Sequence, residues 1–150
     1  MHKPKGLSIL ILPGWQDSEP QHWQSIWLKK YPTAAKVIQT DWVYAEKAEW
    51  VTALNEHIEQ HKDNQIILVG HSLACATIAH WSKEYPSTAL AAVKGALLVS
   101  PSDMDAPNIP KEITGFSPMP LVPLNFKTIV VASEDDPYVS MERAKYFAQC

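Results

Sequence analysis

Gly70-His71-Ser72-Leu73-Ala74 is the stretch of this chain best equipped for covalent chemistry. A serine hydroxyl serves as a nucleophile when it stands at the apex of a turn too tight for bulky neighbours, with a base in reach. Gly70, two residues before Ser72, suits the close approach of the two limbs of such a turn. Ala74, two residues after it, stands where glycine is usual and is the next smallest residue. The amides that open a following helix would face negative charge developing on an attacked carbonyl oxygen. Leu73 would supply one of them. The plainer alternative makes Ser72 a helix N-cap. It accounts for the serine and leaves the small flanking residues unexplained.

The second group is Ser133-Glu134-Asp135-Asp136-Pro137-Tyr138, with three consecutive carboxylates. A nucleophilic serine needs a base, and the base needs an orienting acid. Pro137 fixes the turn behind Asp136, which is the expected acid, with Asp135 as the alternative. Asp103 and Asp105 are weaker candidates. An acidic turn capping a helix is the competing reading of this group.

The base should be a histidine later in the chain than the acid. The six histidines are His2, His22, His57, His61, His71 and His80, and none follows Asp136. His57 and His61, four apart, read as a solvated helix end rather than a metal pair. His80 reads as near the surface of its helix. The His71 side chain is expected to point away from Ser72, and His22 to pack near the site or bond to backbone. His22, His71 and Tyr138 are retained as residues that could line the site.

The elements that must position these residues follow from apolar periodicity. Ile66 to Val69 is an unbroken apolar run, suited to a strand buried on both faces, within Gln65–Val69. Ala76, Ile78, Ala79 and Trp81 then give a helical pattern that stops at Tyr85-Pro86. Leu7 to Leu12 reads as a strand ended by Pro13-Gly14-Trp15, and the Trp15 amide is the expected second oxyanion donor. Ser18-Glu19-Pro20-Gln21 looks like a capping box before a helix carrying Trp23, Ile26 and Trp27. A short strand is expected at Lys36–Gln39 and a helix at Ala45–Gln60, with Trp50, Leu54 and Ile58 on one face. Strands at Val93–Ser100 and Lys127–Ser133 and a helix at Met141–Gln149 complete the series. Strands alternating with helices predict an α/β fold with three α/β/α layers around a parallel sheet. Sites in such sheets lie beyond the C-terminal strand ends, here after Leu12, Val69, Ser100 and Ser133. Pro101, Pro107, Pro110, Pro118, Pro120 and Pro123 punctuate the long connection that leaves Ser100. It is expected to line the pocket or partly lid it.

Length and composition narrow the class. The 150 residues suit one domain, and a net charge of −3 favours neither nucleic acid nor a polybasic membrane contact. Cys75 reads as a small buried apolar residue; Cys150 ends the chain, and neither belongs to a metal-ligand cluster. The Leu7–Leu12 run is too short for a signal peptide or a membrane span, so a soluble, cytoplasmic protein is expected. A nucleotide-binding reading fails, because neither G-x-G-x-x-G nor a P-loop lysine follows any strand. Oligomeric state and the identity of the substrate are left open.

Five blocks taken in order carry a family resemblance. They are Pro13-Gly14-Trp15-Gln16-Asp17-Ser18-Glu19-Pro20-Gln21-His22-Trp23-Gln24, Thr40-Asp41-Trp42, Val69-Gly70-His71-Ser72-Leu73-Ala74, Ser100-Pro101-Ser102-Asp103, and Ser133 to Tyr138. Together they resemble the small serine hydrolases of the YdeN and retinoblastoma-binding protein 9 type, compact members of the α/β-hydrolase fold. The resemblance implies a Ser–Asp–His triad acting on small carboxylic esters or amides, with no cofactor or metal. Carried over by position, Ser72 matches the nucleophile and Asp136 the acid. The family's histidine lies in a G-H segment beyond a further strand, which has no counterpart in these residues. The expectation is therefore one hydrolase domain over 1–150, C-terminally incomplete, whose last strand, helix and histidine lie beyond residue 150. The alternatives are a catalytically inactive binding protein on the same fold and, less favoured, His22 as a substitute base. The L-x-C-x-E motif of retinoblastoma-type partners does not occur in the chain.

Overall fold

Apolar runs alternating with amphipathic stretches build a five-stranded sheet clad by helices. The computed structural model describes residues 6–133, 135–136 and 142–143. Glu134, Pro137, Tyr138, Cys150 and, except for Glu142 and Arg143, the helix expected over 141–149 lie outside the described residues.

The elements are β1 (Leu7–Leu12), α1 (Trp23–Lys30), β2 (Ala34–Lys36), α2 (Lys47–His61), β3 (Gln65–His71), α3 (Leu73–Glu84), α4 (Pro86–Ala92), β4 (Val93–Val99) and β5 (Lys127–Val131). The strand order is β2-β1-β3-β4-β5 and every pairing is parallel. Right-handed crossovers then place α1 on one face and α2 and α3 on the other. This is the three-layer α/β/α architecture expected from the sequence. The chain reverses its direction of growth between β1 and β3, whose register pairs Leu12 with Gly70. A crevice opens at such a point, beyond the carboxyl ends of the strands.

The core lies where the apolar faces meet. Leu10, Leu12, Ile66 and Leu68 of β1 and β3 are buried against Leu54 and Ile58 of α2 and Ile78 and Trp81 of α3. A second cluster joins Trp50, Leu73, Ala76, Met104 and Phe116, with Ile109 and Ile113 packed on it. It fastens the proline-rich connection to the helices. Backbone bonds from Lys47 N–H to Thr114 O (2.9 Å) and Thr114 N–H to Ala45 O (2.9 Å) add to that anchorage. Cys75 is buried as expected; its thiol donates to Val99 O, and burial pushes its pKa well above the ordinary thiol value.

Several local expectations are corrected. The N-cap of α1 is His22, not Ser18, and Ile26 is exposed while the polar Gln24 is the buried side chain of the helix. The second strand begins at Ala34, two residues early. Pro86 does not merely stop α3: it opens α4, at a position where proline needs no amide donor. His80 is buried rather than superficial, and its Nε2–H donates to Phe116 O at 2.7 Å. His57 and His61 donate from Nδ1 to the carbonyls of Ala53 and His57, one helical turn back. Among the described residues, no helix is long and apolar enough to cross a membrane.

Candidate active site

Ser72 joins β3 to α3 at a sharp strand-to-helix elbow, with φ 59° and ψ −119°. A side-chain-bearing residue held there carries about 1–3 kcal/mol of backbone strain, which only surrounding contacts can sustain. Its side chain does not cap α3, so the plain N-cap reading of Ser72 does not hold. The flanking small residues have distinct reasons. A Cβ on Gly70 would stand 2.8 Å from Ile78 Cδ1 and 3.6 Å from the backbone of Ala74 and Cys75. Ala74 is itself buried. Gly14, in the loop after β1, is tighter: a Cβ there would meet His71 O at 2.8 Å and Ser72 Cβ at 3.1 Å.

Ser72 borders a cavity of about 250 Å³ beyond the ends of β1, β3 and β4. Its polar lining includes Ser72, Ser102, His22, His71, Gln16 and Asp17, and its apolar lining includes Trp15, Leu73, Met104, Ile109 and Ile113. The proline-rich connection thus contributes much of the wall, as the sequence suggested. A separate, apolar cavity of about 180 Å³ on the Cys75 side of α3 does not include Ser72.

The sequence candidates fall as follows. Trp15 and Leu73 both line the cavity, and among the described residues the backbone N–H of neither donates to a backbone carbonyl. A Cβ on Gly14 would sit 3.5 Å from the Leu73 nitrogen, so glycine there keeps that amide clear. The Trp15 ring is braced by its indole N–H on Val43 O at 2.6 Å. His71, the last residue of β3, is among the residues that line the cavity, and its ring centroid lies 4.7 Å from that of His22.

The two rings are electrostatically biased. Burial lowers the His71 pKa and the neighbouring His22 lowers it further, while the charge of Asp136 opposes both. Burial also lowers that of His22, opposed by Glu19. The Gln24 amide donates to His22 Nδ1 at 3.1 Å, which leaves the proton of the neutral ring on Nε2.

Of the carboxylates, Asp136 is half-buried and its charge is felt at both His71 and Cys75. Asp135 is exposed. Asp103 is engaged elsewhere, accepting from Arg143 Nε at 2.9 Å and Nη2 at 3.2 Å, with Asp105 3.5 Å from the same guanidinium. Tyr138 lies outside the described residues.

Two participants escaped sequence reasoning. Gln24 reaches across the end of the sheet, donating from Nε2 to Leu12 O (2.9 Å) and Val69 O (3.2 Å). Ser102 places its Oγ 2.7 Å from Ser72 Oγ. Neither gives a local signal: Gln24 stands beside the Trp23–Trp27 face that periodicity selects, and Ser102 is one loop serine among several.

Comparison with known proteins gives the same picture. A YdeN-like hydrolase of Pectobacterium atrosepticum superposes with a TM-score of 0.80 at 29% identity, over 97% of this chain and 72% of that one. A cutinase-like protein of Cryptococcus sp. shares the fold, with a TM-score of 0.62 at 17% identity over 94% of this chain and 82% of that one. No curated protein sequence matches significantly. The family model of the serine hydrolases matches residues 9–150, from β1 through the elbow to the final residue, and to that family the chain belongs.

Proposed function

We propose that the protein hydrolyses small carboxylic esters or amides through an acyl-enzyme on Ser72. The observation that carries this reading is the positive-φ serine at a strand-to-helix turn, facing a cavity with an apolar wall. Ser72 Oγ attacks the acyl carbon while a base takes its proton. The carbonyl oxygen gains the charge and meets the amides of Leu73 and Trp15. The intermediate collapses, the bond to the leaving group breaks, and the base returns the proton to that group. Water, deprotonated by the same base, then attacks the acyl-enzyme; Ser72 Oγ leaves, recovers a proton and the acid is released.

Asp136 is assigned to orient the base, since it is less exposed than Asp135 and Asp103 is occupied by Arg143. The reading requires a histidine C-terminal to Asp136 in the full-length protein. His22 is a poor substitute, because its Nδ1 caps α1 and its Nε2 carries the proton. Trp15, Met104, Ile109 and Ile113 suit a small, partly apolar acyl group. The chemistry needs no cofactor. A cytoplasmic location and a single domain over residues 1–150 belong to the same proposal. The alternative is a non-catalytic binding protein on this fold, in which Ser72 is not activated.

The test is intact mass of the full-length protein after exposure to a fluorophosphonate, beside Ser72→Ala. One adduct, absent from the variant, is the expected result. No adduct on the parent would transfer the lead to the binding-protein reading.

A further inference from the structure

The hydroxyl of Ser102 touches the hydroxyl of Ser72, and the chain around it is built to hold it there. The register of β3 and β4 pairs His71 with Val99, so the turn leaving β4 runs beside the elbow. Ser72 N–H donates to Val99 O at 3.0 Å, and Ser102 N–H reaches Ser72 O at 3.4 Å. On one side of Ser102, Ser100 adopts a positive φ of 50° and donates its N–H to Val131 O at 2.6 Å. On the other, Asp103 accepts from Arg143 Nε and Nη2 and from the Asp105 amide. Ser102 itself is 3% exposed. Its Oγ is therefore located by anchors on both sides, a backbone bond at Ser100 and the carboxylate of Asp103, at a distance typical of a good O–H···O bond.

We propose that Ser102 is a positioning residue for the nucleophile, donating its hydroxyl proton to Ser72 Oγ. The inference rests on the reading of Ser72 as the attacking group. Each hydroxyl has one proton to give, and Ser72 must yield its own to the base. The proton shared between the two oxygens is then that of Ser102. This direction leaves the Ser72 proton turned toward the base. It also fixes the Oγ rotamer, which α3 does not fix, because Ser72 makes no capping bond. As the base removes the Ser72 proton, charge grows on Oγ and the bond from Ser102 becomes charge-assisted and stronger. The same bond supports Ser72 Oγ when it leaves the acyl group in the second half of the reaction. Ser102 gives up no proton and forms no covalent bond.

The experiment compares wild type, Ser102→Ala and Ser102→Thr in the full-length protein. It follows the rate of fluorophosphonate labelling of Ser72 by intact mass, kcat and KM on p-nitrophenyl acetate, and the melting temperature. Threonine keeps the hydroxyl at a position that borders the cavity. Loss of a hydrogen bond to a charged group predicts labelling and kcat about 10- to 100-fold lower in Ser102→Ala, with KM and melting temperature unchanged. Ser102→Thr restores most of the loss. Wild-type labelling with equal or faster labelling of Ser102→Ala overturns the role of Ser102 and leaves the Ser72 reading standing. A loss that follows a lower melting temperature and is not recovered by Thr also overturns it. An unlabelled wild type overturns both, for then there is no nucleophile to position.

Discussion

Glycines 14 and 70 both lie against the elbow, yet they are not equivalent. A methyl at 70 meets the terminal carbon of Ile78, the far end of a side chain that can turn about its outer bond. A methyl at 14 meets a carbonyl oxygen and the Cβ of Ser72, neither of which can move without moving the turn. Gly14→Ala is therefore the more damaging change, costing about 1–3 kcal/mol by forced displacement. Urea midpoints for the two variants measure the difference, with Gly14→Ala expected to be the lower. The same substitution displaces the turn that carries Ser72, so fluorophosphonate labelling of Ser72 is also expected to slow. Equal midpoints and unchanged labelling would mean that the β1 loop yields more easily than its contacts imply.

Among the elements, α1 departs furthest from its apolar pattern. Its aromatic residues pack edge to face, Trp23 against Trp27 at 5.0 Å, while Gln24 turns inward to the ends of β1 and β3. Gln24→Leu keeps the volume and removes the donor from two carbonyls. Its expected cost is about 1–3 kcal/mol, read from chemical denaturation. This explains why some elements were legible in the sequence and others were not. The β1 and β3 strands, the elbow and α2 announce themselves by apolar runs, small residues and the Trp50, Leu54, Ile58 spacing. For α1, the deciding residue is polar and its partners lie far along the chain, so periodicity pointed to the wrong face. Pro86 was read as a stop because proline ends one helix and opens another with the same side chain. Ser102 comes to Ser72 through the β3–β4 register, a tertiary fact that no local spacing encodes. The proline-rich wall was legible only as to its place, since its anchoring depends on Thr114 meeting Ala45 and Lys47.

At the scale of the whole molecule, the cavity gathers loops from β1, β3 and β4 around imidazoles that prefer to be neutral. The pKa values of His22, His71 and His80 all lie below the free value of 6.5 in the folded chain, chiefly through burial. The unfolded chain therefore takes up protons first as the pH falls. Stability is fully present above about pH 6.5 and is lost as acid carries the solution below it. Melting temperature is expected to fall between about pH 7 and pH 5, and His71→Gln to remove part of that slope. An identical slope in the variant would remove His71 from the account.

The positive φ of Ser72 carries a consequence for the order of events in folding. Besides the local bond from Cys75 N–H to Ser72 O, the contacts that hold it come from elsewhere in the sheet: the bond to Val99 O, the turn carrying Ser102 and the packing of Gly14. Parallel pairings of this kind close long loops and form late. A chain with its helices made but its central strands unregistered would let the serine relax to an ordinary conformation. The reactive geometry thus arises when the sheet locks, and reactivity at Ser72 reports the completion of the fold.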